Sequence, residues 1–276
     1  MRTGSVLLVL ILVAAGWQSS AEAQNAELSP HRAVYELALD GPDSSGSLVA
    51  FTGRLVIDVS GSSCEGYSIN TRYVYRRRTA EGDEVLTDLR TSQFEASERG
   101  EFRFSHRRFE DDKLVEQSEG MVNRNTEEVS INIEKPAERD VTLEKSVMFP
   151  NEHVVALLNA AMAGERHLSA TIYDGSKEAD EFVDTFAILG RSRDALEDGE
   201  TAQQLTSLSH WPVSIGYFDG GLIDAEPAAD EETPLYTMSF KLFENGISDR
   251  IRIDYGTFVL AGKLAELELR DAPPCN

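Results

Sequence analysis

Apolar and polar residues alternate along most of this chain, and this alternation predicts β-strands. Side chains two positions apart on a strand share one face, so each such segment presents one face to a core and the other to water. The clearest alternating segments are Arg72–Tyr75, Glu101–Phe104, Glu128–Ile133, Ser239–Leu242 and Arg250–Tyr255. The pattern therefore favours a protein built almost entirely from strands.

Short turn signals separate these segments and indicate an antiparallel meander. Asn245-Gly246 is the strongest of them, because an Asn-Gly pair suits the two positive φ angles of a type I′ hairpin turn. Other turn signals are Gly61–Ser63, Glu81–Asp83, Arg99-Gly100, Asp111-Asp112 and Tyr255-Gly256. So many strands in one sheet must curl, split or close, because the twist accumulates from strand to strand.

One helix is expected to interrupt the strands. Apolar residues recur at helical spacing from Val154 to Met162, and Gly164 is expected to end the helix. Asn151 is the predicted N-cap, with Glu152 in the first turn, where the helix dipole favours an anion. The sequence therefore predicts an all-β fold, a long antiparallel meander, with one docked α-helix at about residues 150–164.

The start of the chain has the pattern of a secretory signal peptide. Arg2 precedes an apolar core from Val6 to Ala15, and Ala21-Glu22-Ala23 forms an A-x-A cleavage pattern. The apolar core is shorter than the roughly 20 residues of a membrane-spanning helix, although a retained anchor is the alternative. We therefore expect residues 1–23 to be cleaved and residues 24–276 to form a single exported domain.

Composition narrows the range of partners. The formal net charge is −22, and loss of the signal peptide removes one Arg and one Glu and leaves it unchanged. Such a surface repels phosphate backbones and anionic headgroups within the Debye length, about 8 Å at physiological salt. Nucleic acid is therefore not an expected partner, and solubility is the simplest explanation of the charge.

The only two cysteines are Cys64 and Cys275. Export would place both thiols in an oxidising compartment, where a disulfide bond between them is the expected outcome, and two free buried thiols are the alternative. The cysteines are far apart in sequence and do not form a C-x-x-C motif, so a redox-active pair is not predicted.

No group of residues identifies a catalytic or metal site. None of the histidines, His31, His106, His153, His167 and His210, has a metal-binding partner at a recognised spacing, so neither a metal nor a cofactor is predicted. Ser214 lies in a sequence that resembles a nucleophile elbow, but Pro212 stands where that motif has its first glycine. We interpret this segment as an ordinary strand.

Three further features have structural interpretations. Asp174-Gly175-Ser176 is predicted to form a tight Asx turn rather than a phosphate or metal loop. Trp211, Tyr217 and Phe218 are expected in the core, with the lining of a ligand groove as the alternative. The 48 acidic residues guarantee chance pairs of carboxylates, so such pairs do not point to an acid–base site. The sequence does not identify ligand-binding residues.

Several motifs together resemble the EipB family of bacterial cell-envelope integrity proteins, over essentially the entire mature chain. They are Ser29–Leu37, Phe149–His153, Tyr173–Ser176, Glu244–Ile247, Asp254–Phe258 and Cys275. The resemblance implies a periplasmic protein whose long antiparallel sheet winds into a β-spiral, or half-open barrel, around a helix. It also implies one disulfide, which maps onto Cys64 and Cys275, and no enzymatic activity.

The resemblance and the residues together favour a non-enzymatic role in the envelope. The leading hypothesis is a periplasmic protein that binds a lipid, a lipoprotein or an envelope-assembly partner, because concave sheet surfaces commonly hold ligands. An envelope hydrolase using carboxylates and an interaction protein without a small ligand are the alternatives. Tolerance of envelope stress is the role that the resemblance implies.

Overall fold

A computed structural model of the chain describes residues 26–97, 100–125, 128–143, 147–176, 179, 181–194, 202–222 and 233–275. The predicted signal peptide, residues 1–23, lies outside the described residues. The strands are β1 (His31–Leu39), β2 (Leu48–Ser62), β3 (Gly66–Thr79), β4 (Glu84–Glu95), β5 (Glu101–Glu110), β6 (Lys113–Arg124), β7 (Val129–Lys135), β8 (Arg139–Leu143), β9 (His167–Ile172), β10 (Glu181–Leu189), β11 (His210–Leu222), β12 (Tyr236–Phe243), β13 (Ser248–Asp254) and β14 (Val259–Leu269). An α-helix, α1 (Pro150–Met162), lies between β8 and β9, and a short 3-10 helix spans Gln203–Leu205.

All 14 strands belong to one antiparallel sheet with the order β8-β7-β6-β5-β4-β3-β2-β1-β14-β13-β12-β11-β10-β9. Strands that are consecutive in the chain pair as a meander, and β1 joins the first half to the second by pairing with β14. The two outermost strands, β8 and β9, flank α1 in sequence. No ladder joins β8 to β9 within the described residues, so the sheet is not closed into a barrel. The predicted all-β meander with one docked helix, wound as a half-open barrel, is confirmed.

The alternating pattern places one face of each strand toward the interior. On β5, Phe102 and Phe104 are buried whereas Arg103 is exposed, and on β7 Val129, Ile131 and Ile133 are buried. Helix α1 packs against this inner face, where its apolar side contacts residues of β2, β3, β10 and β11. One part of the core therefore lies between this helix and the concave side of the sheet, and another lies on the sheet around Tyr35, Phe243 and Leu260.

The N-cap of the helix lies before the residue that the sequence suggested. Phe149 is the N-cap and Pro150 the first helical residue, so the prediction of Asn151 as N-cap is wrong. Proline suits the first helical position because it lacks only an N–H that would have no partner there. At the other end, Gly164 has φ 80°, and its N–H donates to Ala161 O at 3.1 Å. This ending is a Schellman motif, as a glycine after the helix favours.

The hairpin at Asn245-Gly246 forms between β12 and β13, but its turn type differs from the prediction. Only Gly246 has a positive φ, 85°, and the loop closes with hydrogen bonds from Gly246 N to Phe243 O and from Phe243 N to Ile247 O. This is a three-residue loop rather than a type I′ turn. The two positive φ angles of a type I′ turn occur instead at Asp111 (46°) and Asp112 (63°).

Candidate functional site

An apolar cavity of about 320 Å³ lies between α1 and the inner face of the sheet. We call it the helix cavity. The helix contributes Asn151, His153, Val154 and Leu157, and strands β1 to β3 and β11 to β13 contribute most of the opposite wall. That wall consists mainly of aliphatic side chains, together with aromatic residues such as Tyr217 and Phe240. Both halves of the sheet thus meet the helix at this cavity.

The helix cavity has polar groups in its wall, but none with a formal charge at neutral pH. No Lys, Arg, Asp or Glu is among its described lining residues. His153 is 5% exposed, and burial lowers its pKa to about 4. Burial likewise lowers the pKa of His31. Both imidazoles are therefore neutral, and the cavity presents hydrogen-bonding groups within an uncharged surface.

Asn151 is the most unusual polar residue of this wall. It is 4% exposed, and neither its Oδ1 nor its Nδ2 has a hydrogen-bond partner. His153 is better placed, since its Nε2 lies 3.4 Å from Thr185 Oγ1. Buried side-chain amides usually have partners in native proteins, so the amide of Asn151, covered by protein atoms beside the cavity, is an exception.

A carboxyl group from the sheet fixes the first turn of α1. Glu95, on β4, accepts hydrogen bonds from Asn151 N at 2.7 Å and from Glu152 N at 3.2 Å. These N–H groups have no partner inside the helix, and the positive end of the helix dipole favours an acceptor here. Burial nevertheless raises the pKa of Glu95 to about 8, against the opposing effect of these hydrogen bonds.

Arg124 and Glu152 complete this support. Glu152 accepts a hydrogen bond from Phe149 N at 3.0 Å. Arg124, on β6, donates to Val147 O at 2.9 Å and to Glu152 Oε2 at 3.0 Å. Its guanidinium also lies 4.7 Å from the centre of the Phe149 ring. The entry of the helix is therefore tied to two strands, which places Asn151 and His153 firmly in the cavity wall.

A second concavity of about 390 Å³ continues along the same inner face. We call it the aromatic recess; it is lined by Phe51, Tyr73, Tyr75, Tyr255 and Phe258, with the charged Arg77 and Glu81. A series of ring contacts connects it with the helix cavity: Tyr217 to Tyr236 at 4.5 Å, Tyr236 to Tyr255 at 5.6 Å and Tyr255 to Phe258 at 4.8 Å. The ring contacts therefore form a continuous aromatic surface between the two concavities.

The structure joins Cys64 and Cys275 by a disulfide bond, with the two Cα atoms 5.7 Å apart. Cys64 lies in the turn between β2 and β3, and Cys275 follows the last strand. The bond therefore ties the C-terminal tail to the turn that connects β2 and β3, at one end of these strands. It lies in a connection between strands, and neither sulfur lines the helix cavity.

The predicted turn at Asp174-Gly175-Ser176 is an Asx turn, in which Ser176 N donates to Asp174 Oδ1 at 2.9 Å. The carbonyl of Asp174 accepts a hydrogen bond from Gln93 at 3.2 Å and lies 2.8 Å from His106 Nε2. Gly175 has φ 73°, and a Cβ there would meet the Phe104 ring at 2.2 Å. This loop therefore packs into the interior as a structural element.

The three aromatic residues of β11 lie in different environments. Trp211 is buried in the core beside the helix, Tyr217 lines the helix cavity, and Phe218 lies on the opposite face of the strand. Ser214 lies within β11, which supports its interpretation as part of a strand. The groove-lining alternative therefore holds for Tyr217. Sequence reasoning missed Asn151 and His153 as cavity residues, because the cavity wall is assembled from strands that are distant in sequence.

Neither a metal site nor a membrane-spanning helix occurs among the described residues. No group of three or more His, Cys, Asp or Glu side chains in this part of the chain is placed to hold a metal ion. Within the same residues, no helix has the length and apolar character needed to cross a membrane.

A long antiparallel sheet that winds around one helix and leaves an apolar cavity between them defines a β-barrel-like protein with an internal cavity. The comparisons with known proteins agree with this class. Residues 22–271 match the model of the EipB-like family. The chain is 35% identical over 260 residues to the cell envelope integrity protein EipB of Brucella abortus (strain 2308), covering 93% of this chain and 90% of that protein.

A solved structure extends the agreement to three dimensions. The crystal structure of a β-barrel-like protein with a domain of unknown function from Brucella abortus matches with a TM-score of 0.79 and 34% identity, covering 89% of this chain and 100% of that chain. The chain therefore belongs to the EipB-like family.

Proposed function

We propose that this protein is a non-enzymatic periplasmic protein that supports cell-envelope integrity by holding the apolar chain of a lipid or lipoprotein in the helix cavity. The observation that carries the proposal is the apolar, uncharged cavity of about 320 Å³ under α1. Small-molecule sites are typically concave, mostly apolar and about 300–1,000 Å³ in volume. The name of the Brucella abortus relative, a cell envelope integrity protein, supports the envelope role.

Two features of the chain support a periplasmic compartment. A cleavable signal peptide at residues 1–23 would export the protein, and the disulfide between Cys64 and Cys275 is of a kind that persists in oxidising compartments. An exported protein that encloses an apolar chain could carry it through the aqueous space between membranes. We therefore place the protein in the periplasm.

The arrangement of the buried carboxyl groups argues against a hydrolase in the interior. The buried acidic residues among those described are Asp43, Glu95 and Asp249. Asp43 accepts hydrogen bonds from Ser45, Ser47 and Leu48. Asp249 accepts one from Arg250 N, and Glu95 caps α1. All three support the fold, and none lines the helix cavity.

Native mass spectrometry of protein extracted mildly from its own periplasm tests this proposal. We expect a fraction of the protein to carry extra mass that dissociates as a lipid or an acylated peptide. The same spectrum gives the mass of the chain, which we expect to begin at Gln24. A spectrum that contained only the apo mass after mild extraction would favour an interaction protein without a small ligand.

A further inference from the structure

The helix cavity and the aromatic recess lie end to end on the inner face of the sheet. On β3, Thr71 lines the helix cavity and Tyr73 lines the recess. On β13, Ile253 and Tyr255 divide in the same way. Side chains two positions apart on a strand share a face, so the two concavities are neighbours on one surface. A ligand whose apolar chain fills the helix cavity can therefore extend into the recess.

The two concavities differ in charge. The described lining of the helix cavity includes no Lys, Arg, Asp or Glu, whereas the recess has one cation, Arg77, and one anion, Glu81. Both side chains are exposed, and neither forms an ion pair with any other residue that the structure describes. A charged group in the helix cavity would lose its hydration and gain no counter-ion. The polar end of a ligand therefore belongs in the recess.

Tyrosine hydroxyl groups add hydrogen-bond donors near Arg77. Tyr73 and Tyr75 line the same recess. Among the described residues neither hydroxyl has a hydrogen-bond partner, and neither is fully covered by protein atoms. Burial raises the pKa of Tyr73 above its usual value, so this phenol stays protonated and donates. Phosphate oxygens accept such bonds and also pair with a guanidinium. The recess therefore has partners for a phosphate group.

The aromatic faces of the recess and Glu81 suit a cation. The rings of Phe51 and Tyr75 stack with centres 5.3 Å apart, and those of Tyr255 and Phe258 stack at 4.8 Å. All four rings line the recess. Ammonium groups, quaternary ones above all, are attracted to the faces of aromatic rings, and a carboxylate adds a counter-ion. The recess therefore has partners for an ammonium group as well as for a phosphate.

We propose that the aromatic recess binds the zwitterionic head of a phospholipid, with its phosphate at Arg77 and its ammonium group at Glu81, while one acyl chain of this lipid fills the helix cavity. This inference rests on the proposed function and adds the class of lipid and the position of its head. Thr71 and Arg77 are about 20 Å apart at the rise of a strand. One leaflet of a bilayer contributes about 15 Å of hydrocarbon, so a single chain covers most of this distance.

Displacement of a neutral fluorescent probe, N-phenyl-1-naphthylamine, by four amphiphiles with the same decyl chain tests the inference. They are decylphosphocholine, decyl phosphate, decyltrimethylammonium and decanol. We expect decylphosphocholine to bind at least about tenfold more tightly than each of the others, because it alone satisfies both charges of the recess. Attraction to the net charge of −22 would instead favour decyltrimethylammonium.

Any order in which decylphosphocholine is not the tightest ligand would overturn the inference and leave the proposed function standing. If none of the four displaced the probe, the proposed function itself would fail.

Two substitutions in the recess should change this selectivity in opposite ways. We expect Arg77→Gln to weaken decylphosphocholine and decyl phosphate by at least about fivefold, and not decyltrimethylammonium. Glu81→Gln should weaken decylphosphocholine and decyltrimethylammonium, and not decyl phosphate. The matched control is Arg78→Gln, which removes the same charge from the next residue of β3, outside the recess. The control should keep the wild-type affinities, and equal effects of Arg77→Gln and Arg78→Gln would contradict the proposal.

Discussion

At the start of α1, the backbone N–H groups have hydrogen-bond partners whereas one side-chain amide has none. The backbone N–H groups of Asn151 and Glu152 both donate to the carboxyl of Glu95, whereas the side-chain amide of Asn151 has no partner. The first arrangement anchors the helix in one position. The second leaves a buried amide without a hydrogen bond beside the cavity, which costs stability.

Glu95 also gives the fold a specific dependence on pH. Its pKa rises from 4.5 to about 8 on folding, because burial disfavours the charged form. The folded state therefore binds the proton more tightly, and this contribution to stability is complete below about pH 4.5 and falls as the pH rises toward 8.

We expect Glu95→Gln to reduce the fall in the free energy of unfolding as the pH rises, because glutamine does not titrate. The variant should also be less stable overall by about 1 kcal/mol, because glutamine offers a single acceptor to two N–H donors. Chemical denaturation at several values between pH 4.5 and 8 measures the effect. His31 and His153, whose pKa values are lowered, act in the opposite direction in both proteins, so the difference between the two proteins isolates Glu95. The exposed Glu266→Gln serves as control. Identical slopes for Glu95→Gln and the wild type would contradict the raised pKa.

At the scale of elements, helix α1 acts as the inner support of an open sheet. Leu158 is fully buried, at 0% exposed, whereas Met162 on the same helix is 47% exposed. We expect Leu158→Ala to lower the free energy of unfolding by about 2–5 kcal/mol, because truncation of a buried leucine leaves a cavity. Met162→Ala should change it by less than about 0.5 kcal/mol. Urea denaturation compares the two, and equal small effects would show that α1 contributes little to the core.

The sequence predicted those elements whose signals are local. Strand alternation, the apolar stripe of α1 and the terminating Gly164 can each be found within a few neighbouring residues. The N-cap could not be predicted in this way, because Asn151 N is held by Glu95, 56 positions away. The helix cavity was equally out of reach. Its wall is assembled from both halves of the sheet, which the pairing of β1 with β14 brings together.

At the scale of the whole molecule, the disulfide spans a sequence separation of 211 residues. A cross-link over so long a loop restricts the unfolded chain, and the chain-entropy relation gives a stabilisation of roughly 5 kcal/mol as an upper bound. We expect Cys64→Ser, Cys275→Ser and reductant on the wild type each to lower the melting temperature by at least about 5 °C. Calorimetry measures this change. A melting curve that reductant leaves unchanged would contradict the stabilising role of the disulfide.

If the helix cavity holds an apolar chain, a larger side chain that fills the cavity should prevent that chain from binding. Ile57 and Val56 are neighbours on β2, but Ile57 faces the cavity whereas Val56 lies on the outer face. Native mass spectrometry of Ile57→Trp and Val56→Trp, each purified mildly from the periplasm, would compare the ligand they retain. We expect Ile57→Trp to be folded and free of ligand, and Val56→Trp to carry the same ligand mass as the wild type. Equal retention by both variants would contradict it.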